Sequence, residues 1–297
     1  MDKIKPNSGK LFVKSMNKMI PLRLSQKPLI SVIIPVFRAK STLERALHAV
    51  KAQVWSQKDV EIILSIDDGK NYDWAKKYWS NITICSGYAP ATGAGPTRNR
   101  GILASSGRYL AFLDADDEWK NSYLDALYPV AEHHGLAFGL TDIHTHDGAY
   151  LISLGYGPDN GDGLLRLEDF GIWPGSFHPM IRRDMTPFFL NQPAQDVFHA
   201  IETLAMYGDM APLVRAAKYR LNPNEGSVTA SAGFSHRLER SYRHMAQWVM
   251  SGRAYVPTAS QHKVVRALQK RRNWNQRFMR EGHRYPSFYH FLAETVA

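Results

Sequence analysis

The sequence predicts an α/β protein with a mostly parallel sheet, helices on both faces of that sheet, and a helical C-terminal extension. Between residues 30 and 117, short apolar runs alternate four times with segments of helical pattern. Alternation of this kind is typical of a parallel sheet in which a helix connects successive strands. After residue 230, apolar residues recur every three to four positions, which predicts helices that pack through one face.

Each element of the alternating region has its own signal. The first strand is predicted at Pro28–Pro35, and a helix follows from Ser41, whose spacing to Glu44 has the pattern of a capping box. A weak helical pattern covers residues 72–79, and a stronger one covers residues 97–105. The remaining strands are predicted at residues 60–66, 82–85 and 109–113.

The net charge of +10 is concentrated at the two ends of the chain. Residues 1–29 carry +6 and residues 231–297 carry +9, which leaves −5 for residues 30–230. We therefore predict three parts: an irregular basic arm, a mildly acidic functional domain and a basic helical extension. Basic segments are typical of proteins that bind nucleic acid or an anionic membrane, and equally of well-solvated surfaces.

Cysteine content and hydropathy predict the compartment. A single cysteine, Cys85, excludes a disulfide framework, and its place in an apolar run indicates a buried thiol in a strand. No apolar stretch reaches the ~20 residues that a membrane-spanning helix needs. The N-terminal residues also lack the apolar core of a signal peptide. These observations predict a cytoplasmic protein.

Two of the predicted strands end in clusters of carboxylates. Asp67 and Asp68 follow the second strand, and Asp114, Asp116 and Asp117 follow the strand at 109–113. In open α/β sheets, ligands bind beyond the carboxyl ends of the strands. Like charges raise each other's pKa, and Mg²⁺ or Mn²⁺ removes that conflict while it bridges to phosphate oxygens. The pattern predicts a divalent-metal site at this edge, although acids also suit the start of a helix.

Four segments of this region resemble, in order and spacing, the motifs of family 2 glycosyltransferases. Ser31–Phe37 is similar to the opening strand of that family, and Ser65–Lys70 is similar to its second-strand acidic motif. Thr97–Ile102 and Gly107–Asp117 resemble the family's "ARNRGI" and "GEYIAFLDADD" segments. Together with later segments, the resemblance covers about residues 30–230.

The resemblance implies a GT-A fold, with a nucleotide-sugar-binding half at residues 30–120 and an acceptor-binding half at residues 121–230. It implies transfer, with inversion, from a nucleotide diphosphate sugar to a carbohydrate or lipid-linked acceptor. A UDP-sugar is the expected donor, and Mn²⁺ or Mg²⁺ is the expected cofactor.

The resemblance also implies roles for individual residues. Those that would bind the donor lie at strand ends or on the following helix: Pro35 and Phe37 at the nucleobase, Asp68 as its hydrogen-bond acceptor, Arg98 near the diphosphate, Asp114 near the ribose and Asp116 on the metal. Asp196 falls where the family has its general base. Further candidates for contact with donor or acceptor are Asp117, Trp173 and His178.

The chain departs from the family pattern in two places near the implied base and the late motif. Gln195 stands where the family has Glu beside its base. In the late segment Lys218–Ser227, Asn222 stands at or near the place of a histidine. A histidine contact to metal or phosphate is therefore not expected from this segment.

Two other function classes are compatible with parts of the pattern. A nucleotidyltransferase that makes sugar nucleotides shares the metal chemistry, but Val36–Lys40 lacks the glycine-rich loop expected after the first strand. A nucleic-acid-binding protein would use the basic ends, but no such module is recognisable and the central region is acidic. No nucleic-acid partner is therefore expected. The basic face of the C-terminal helices is a candidate for attachment to an anionic membrane, where a lipid-linked acceptor would lie.

Overall fold

The computed structural model describes residues 27–145, 147–155, 162–171, 177–222 and 233–296. Within these residues the chain forms ten strands and seven α-helices. The strands are β1 (Ile30–Val36), β2 (Val60–Ile66), β3 (Ile82–Ser86), β4 (Tyr109–Phe112), β5 (Glu118–Trp119), β6 (Leu136–His144), β7 (Tyr150–Leu154), β8 (Leu164–Arg166), β9 (Pro179–Arg182) and β10 (Met210–Leu221). The helices are α1 (Leu43–Lys51), α2 (Ala94–Ala104), α3 (Tyr123–His134), α4 (Gln195–Met206), α5 (Phe234–Met250), α6 (Gln261–Glu281) and α7 (Phe288–Val296).

The described strands form one sheet in the order β3-β2-β1-β4-β9-β6-β10-β5, with β7 beside β6 and β8 beside β10. β3, β2, β1 and β4 are parallel. The second half is mixed, because β9 runs antiparallel to both β4 and β6 while β6 and β10 run parallel. The α/β fold with a parallel N-terminal sheet is thus confirmed.

Burial on both faces explains the continuous apolar sequences of the first strands. All seven residues of β2 are buried, and in β1 only Pro35 is partly exposed. One face of this sheet is covered by α1, which contributes Leu43, Leu47 and Val50 to the core.

Two predictions of helix starts differ from the structure. The predicted capping box does not form, because the N-cap of α1 is Thr42 and its side chain makes no capping hydrogen bond. Glu44 instead accepts a hydrogen bond from the hydroxyl group of Tyr78. The helix predicted from Thr97 begins earlier, at Ala94.

The helices of the C-terminal extension share a hydrophobic core with the rest of the chain. Tyr242 and Met245 of α5 and Leu268 of α6 belong to the same buried cluster as Phe198 and Ile201 of α4. The extension is therefore part of the core of the fold.

No helix in the described ranges combines the length and the hydropathy that a membrane-spanning segment needs.

Candidate active site

The carboxyl ends of several strands meet at one edge of the sheet. β1 runs parallel to β2 and β4, and β6 and β10 share this direction because β9 is antiparallel to β4 and to β6. This edge therefore collects the segments that follow β1, β2 and β4, which contain Phe37, Asp68 and Asp116. It is the edge at which open α/β sheets bind their ligands.

Asp67, the first acid after β2, is committed to the loop before α2. Its side chain is 3% exposed, and its carboxylate accepts hydrogen bonds from the amide groups of Thr92 and Gly93 at 3.1 and 3.0 Å. The Arg100 guanidinium lies 3.6 Å from the same carboxylate. The protein itself thus compensates the charge of Asp67.

Asp68, the second acid after β2, is partly exposed and strongly hydrogen-bonded. Its carboxylate accepts from the Arg38 amide at 2.9 Å, the Lys70 amide at 3.0 Å and the Tyr72 hydroxyl at 2.9 Å. Burial raises the pKa of Asp68, but these hydrogen bonds more than offset that effect, so its pKa lies below the ordinary value. A carboxylate offers about four acceptor positions, so Asp68 retains capacity for one more donor.

An exposed aromatic ring follows β1, one residue before Arg38, whose amide donates to Asp68. Phe37 is 46% exposed, and the guanidinium of Arg38 lies 5.0 Å from the centre of its ring. Arg38 has a φ of 53°, a left-handed conformation that is uncommon outside glycine. Pro35 precedes this turn as the partly exposed residue of β1. An exposed ring next to a carboxylate is a suitable surface for a nucleobase.

The loop after β4 is fixed by a chain of hydrogen bonds through Tyr219 of β10. The Asp114 amide donates to the Tyr219 hydroxyl oxygen at 3.1 Å, and that hydroxyl donates to Asp117 at 2.7 Å. The second carboxylate oxygen of Asp117 accepts from the Asn222 amide at 2.8 Å. Asp117 is 5% exposed, so its geometry supports a role in shaping the loop and disfavours the predicted contact with donor or acceptor.

The carboxylates after β4 repel one another. Burial, followed by the charges of Asp116 and Asp114, raises the pKa of Asp117 well above its ordinary value. The guanidinium of Arg98 forms an ion pair with Asp114. This cluster thus differs from the pair after β2, where the pKa of Asp68 is lowered.

The residues of the β4 loop fit a divalent metal that arrives with a nucleotide. Mg²⁺ is usually held through one or two carboxylates together with substrate phosphates, rather than by an all-protein cage. The described residues contain no group of three or more His, Cys, Asp or Glu side chains that could hold a metal by itself. Asp116 is partly exposed and offers a hard oxygen ligand. The repulsion felt by Asp117 is the conflict that a cation would relieve.

The structure changes the interpretation of Arg98. Its side chain is 4% exposed, and its guanidinium lies 5.5 Å from the ring centre of Phe189. Burial lowers the pKa of Arg98, but the charges of Asp114 and Asp196 raise it above the ordinary value. Its Nε and Nη1 atoms are buried without a hydrogen-bond partner among the described residues. A guanidinium at this depth holds the carboxylate of Asp114 in place, and a position near a diphosphate stays a prediction for Arg98.

Helix α4 carries Asp196, whose charge acts on the residues around Asp114. Asp196 is partly exposed in the first turn of α4, which follows Ala194 at a φ of 57°. Its charge acts on both Arg98 and His178. The His178 ring is 6% exposed and stacks on Tyr219 with 4.8 Å between ring centres. Burial lowers the pKa of His178, so this ring is a neutral packing residue beneath the site.

Three residues of this region were not predicted from the sequence. Tyr219 orders the β4 loop. His199 is a buried ring on α4 whose pKa is lowered to about 3 by burial. Tyr289 of α7 lies within electrostatic reach of the acids. Of these three residues, only His199 had a signal in the sequence. Its four-residue spacing from Gln195 places the two side chains on one face of a helix. Trp173 and residues 223–227 of the late segment lie outside the described residues.

Residues 31–154 match a family model described as Glycosyl transferase family 2. WfaP of Escherichia coli, a UDP-Glc:alpha-D-GlcNAc-diphosphoundecaprenol beta-1,3-glucosyltransferase, is 32% identical over 93 residues, which cover 31% of this chain and 36% of WfaP. TarP of Staphylococcus aureus (strain N315), a poly(ribitol-phosphate) beta-N-acetylglucosaminyltransferase, is 31% identical over 103 residues, which cover 33% of this chain and 32% of TarP. The chain spans about half or less of the length of these curated relatives.

Solved structures show the same fold. S. aureus TarS 1–349 in complex with UDP-GlcNAc matches with a TM-score of 0.61 at 15% identity, covering 83% of this chain and 72% of that chain. The mannosyltransferase PcManGT of Pyrobaculum calidifontis, in complex with GDP-Man and Mn²⁺, matches with a TM-score of 0.52 at 14% identity, covering 91% and 85%. The fold is therefore the GT-A fold of glycosyltransferases. Over residues 31–154, the chain is similar to glycosyl transferase family 2.

Proposed function

We propose that this protein is a metal-dependent, inverting glycosyltransferase whose donor is a UDP-sugar. The observation that carries the proposal is that α4, which bears Asp196, packs beside the acids after β4. Arg98 pairs with Asp114 and lies 5.5 Å from the ring of Phe189, and that ring stacks on His199 of α4 with 3.8 Å between ring centres. Displacement at an anomeric carbon needs one site that stabilises the departing diphosphate and another group that takes the acceptor's proton. Asp116 and Asp196 divide these two tasks.

The nucleoside of the donor is assigned to the ends of β1 and β2. The exposed ring of Phe37 offers a surface on which uracil stacks, and the remaining acceptor position of Asp68 would receive the N–H group of uracil. Asp114, which Arg98 holds in place through their ion pair, would accept from a ribose hydroxyl. The choice of UDP draws support from TarS, which has been solved with UDP-GlcNAc.

Asp116 would hold Mn²⁺ or Mg²⁺ through its partly exposed carboxylate. When bound, the cation supplies positive charge to the leaving diphosphate. Asp117 and Tyr219 contribute indirectly to metal binding, because their hydrogen bonds fix the loop that carries Asp116. The presence of Mn²⁺ with GDP-Man in PcManGT supports the use of a divalent metal.

Asp196 is assigned as the general base. Backbone amide groups in the first turn of α4 favour its ionised carboxylate. The carboxylate takes the proton of the acceptor hydroxyl while that oxygen bonds to the anomeric carbon. The bond from the anomeric carbon to the diphosphate oxygen breaks on the opposite face, and its electron pair leaves with the nucleotide. A single displacement of this kind inverts the anomeric centre.

A carbohydrate or lipid-linked acceptor is the companion proposal. The name of WfaP gives a lipid diphosphate acceptor, and that of TarP gives a polyol phosphate polymer. An acceptor embedded in a membrane requires an enzyme that stays at its surface. The exposed basic residues of α5 and α6 would provide peripheral attachment to anionic lipid: Arg240, Arg243, Arg266 and Lys270.

The test begins with a panel of UDP-, GDP- and CDP-sugars, screened with and without Mn²⁺ for a rise in unfolding temperature. The sugar nucleotide with the largest Mn²⁺-dependent rise is then used to measure donor hydrolysis. Asp196→Asn should keep the unfolding temperature and the affinity for UDP, and lose on the order of 10²–10⁴ in turnover.

Asp184→Asn is the matched control, because Asp184 is an exposed aspartate paired with Arg182 at 2.5 Å, and its turnover should stay at the wild-type level. Two results would contradict the proposal. One is a panel in which no sugar nucleotide gives a metal-dependent rise, and the other is turnover by Asp196→Asn within a few-fold of wild type.

A further inference from the structure

A patch of polar and charged side chains lies at the carboxyl ends of β6 and β10. Arg220 of β10 is paired in register with Asp142 of β6, and Asp142 is paired with Ser153 of β7. Paired residues lie on the same face of a sheet. The Ser153 hydroxyl donates to one carboxylate oxygen of Asp142, and the Nζ atom of Lys218 lies 3.5 Å from the other. His144, two residues after Asp142 at the end of β6, belongs to the same face.

The charge of Arg220 has no carboxylate partner among the described residues. The two acids beside it have other partners, since Asp142 pairs with Lys218 and Glu118 pairs with Arg45 at 3.3 Å. Glu118 stands opposite Arg220 in the pairing of β5 with β10. The partly exposed guanidinium of Arg220 is therefore available to an anionic ligand.

The guanidinium of Arg220 is held beside the loop of the proposed metal ligand. Its Nε atom donates to the side-chain oxygen of Asn222 at 3.0 Å, and the Asn222 amide donates to Asp117 at 2.8 Å. Its Nη2 atom lies 3.5 Å from the position that a Cβ atom on Gly148 would take, in the turn between β6 and β7. These contacts fix the guanidinium at the edge of the sheet, one hydrogen-bonded residue away from the neighbour of Asp116.

His144 has an unused polar atom in the same patch. Its side chain is 8% exposed, and its Nδ1 atom is buried without a hydrogen-bond partner among the described residues. Buried polar atoms in proteins are nearly always hydrogen-bonded, so this nitrogen indicates a place for a ligand atom. Burial, followed by the charge of Arg220, lowers the pKa of His144. The ring is therefore neutral at physiological pH, and one of its two nitrogens carries a proton that it can donate.

We infer that Arg220, Lys218 and His144 bind a phosphate group of the acceptor. A guanidinium donates two parallel hydrogen bonds to phosphate oxygens, and an ammonium group adds a point charge. The inference rests on the proposed function, in which Asp196 takes the proton of an acceptor hydroxyl at the same edge of the sheet. It assigns the acceptor to the anionic class. Lipid diphosphates and polyol phosphates both carry the required group.

Calorimetry on the intact chain, with saturating UDP and Mn²⁺ to fill the donor site, tests this inference. The probes are glycerol phosphate for a polyol phosphate, farnesyl diphosphate for a lipid diphosphate, and glycerol as the uncharged reference. Wild type should bind at least one phosphate probe and not glycerol, and the tighter probe identifies the source of the phosphate. Arg220→Gln should weaken that binding roughly ten-fold or more, because it removes the charge and the paired donors. The affinity for UDP and the unfolding temperature should stay at the wild-type values.

A second variant, His144→Phe, keeps an aromatic ring beside Tyr150, where the rings of His144 and Tyr150 now meet edge to face at 5.9 Å. It should weaken phosphate binding roughly three-fold, as expected for the loss of one hydrogen bond. This variant decides the question if Arg220→Gln does not fold. Arg108→Gln is the matched control, since Arg108 is an exposed arginine just before β4, at the opposite edge of the sheet, and should change none of these quantities.

Three results would overturn the inference while the proposed function stands. Wild type that binds UDP with Mn²⁺ might bind neither phosphate probe, or the folded variants might bind the phosphate probe as tightly as wild type does. Equal losses for UDP and for the phosphate probe would mark a structural role. Absence of any nucleotide binding by wild type would instead overturn the proposed function, and this inference with it.

Discussion

The acidic sheet edge and the basic C-terminal extension use their charges differently. At the sheet edge, Asp114 and Asp116 stand close enough to raise the pKa of Asp117, and this repulsion persists in the folded protein. In the extension, Arg271 is 2% exposed and donates a hydrogen bond to the carbonyl of Phe170. Like charges are concentrated where a ligand can compensate them, whereas the buried charge of the extension has partners inside the protein.

This difference shows that net charge alone does not separate a binding surface from a scaffold. The +9 of residues 231–297 predicts a surface, yet part of that charge joins the extension to the core. Next to Arg271, the indole N–H of Trp274 donates to the carbonyl of Gly171 at 3.0 Å, and Arg272 pairs with Glu239. A tail that merely attached the protein to a membrane would not need such contacts.

The largest expected effect follows from this shared core. Deleting residues from Gln261 onward should abolish cooperative folding, because it removes Val264 and Leu268, which are 0% and 1% exposed, and uncovers Tyr242. Each buried side chain of this size contributes roughly 1.5–3 kcal/mol, and a domain has only about 5–15 kcal/mol of stability. Urea unfolding followed by circular dichroism measures the effect.

The milder Leu268→Ala should lower the free energy of unfolding by about 2–5 kcal/mol while folding remains cooperative. A truncated protein that unfolds with the midpoint and slope of the full chain would show that the extension is a separate unit.

The next effect concerns the edge. Asp116→Ala should weaken Mn²⁺-dependent binding of UDP by roughly 100-fold or more, because the carboxylate is expected to link protein, metal and phosphate. Asp73→Ala is the control, since Asp73 is an exposed acid paired with Lys76 at 2.7 Å. Calorimetry with UDP, with and without Mn²⁺, gives both affinities. Unchanged metal-dependent affinity in Asp116→Ala would place the metal elsewhere.

A third prediction concerns the junction of the two regions. Glu202 of α4 is 3% exposed and accepts a hydrogen bond at 2.7 Å from the amide of Tyr255, in the connection between α5 and α6. Burial raises the pKa of Glu202 to about 7, partly opposed by that hydrogen bond. The protonated form is therefore favoured in the folded state. Its stabilising effect is complete below the ordinary pKa of 4.5 and is lost as the pH rises through about 7.

Glu202→Gln should remove this pH dependence. Between pH 4.5 and pH 8, the free energy of unfolding of wild type should fall relative to the variant by about 3 kcal/mol. Other titrating groups cancel in the difference between the two proteins. Parallel stability curves for wild type and Glu202→Gln would mean that the junction does not hold a protonated carboxyl group.

The parts of the fold that were predictable are those with a local signal. Apolar runs and turn residues identify β1, β2 and β4. Each of these strands is buried on both faces, and its sequence is therefore a continuous apolar run. The predicted capping box does not form, because the side chain of Glu44 instead accepts a hydrogen bond from Tyr78, which is distant in the sequence. Local patterns predict elements, and they fail where a tertiary contact competes.

Composition and spacing predict an acidic edge at the candidate site, whereas the separate roles of its acids were predicted only through the family resemblance. In sequence, Asp67 looks like Asp68 and Asp117 looks like Asp116. Their partners decide the difference, and these come from the loop before α2 and from the end of β10.

The smallest effect tests what remains of the membrane hypothesis. Arg243 of α5 and Arg266 of α6 are exposed, and neither is assigned to the site. A basic residue near an anionic bilayer contributes about 1 kcal/mol, so Arg243→Gln and Arg266→Gln should each weaken binding to vesicles of anionic lipid roughly five-fold. The double variant should show the sum of the two free-energy changes. Co-sedimentation at two salt concentrations measures it, and the higher salt should reduce all affinities because it screens the attraction.

Lys58→Gln is the control, since Lys58 is an exposed cation of the acidic domain and should leave vesicle binding unchanged. Donor hydrolysis should be the same in all of these variants, because none of the residues belongs to the proposed catalytic site. If both arginine variants bind anionic vesicles as wild type does, the exposed charge of the extension is only solvated. The function of the extension is then to complete the hydrophobic core.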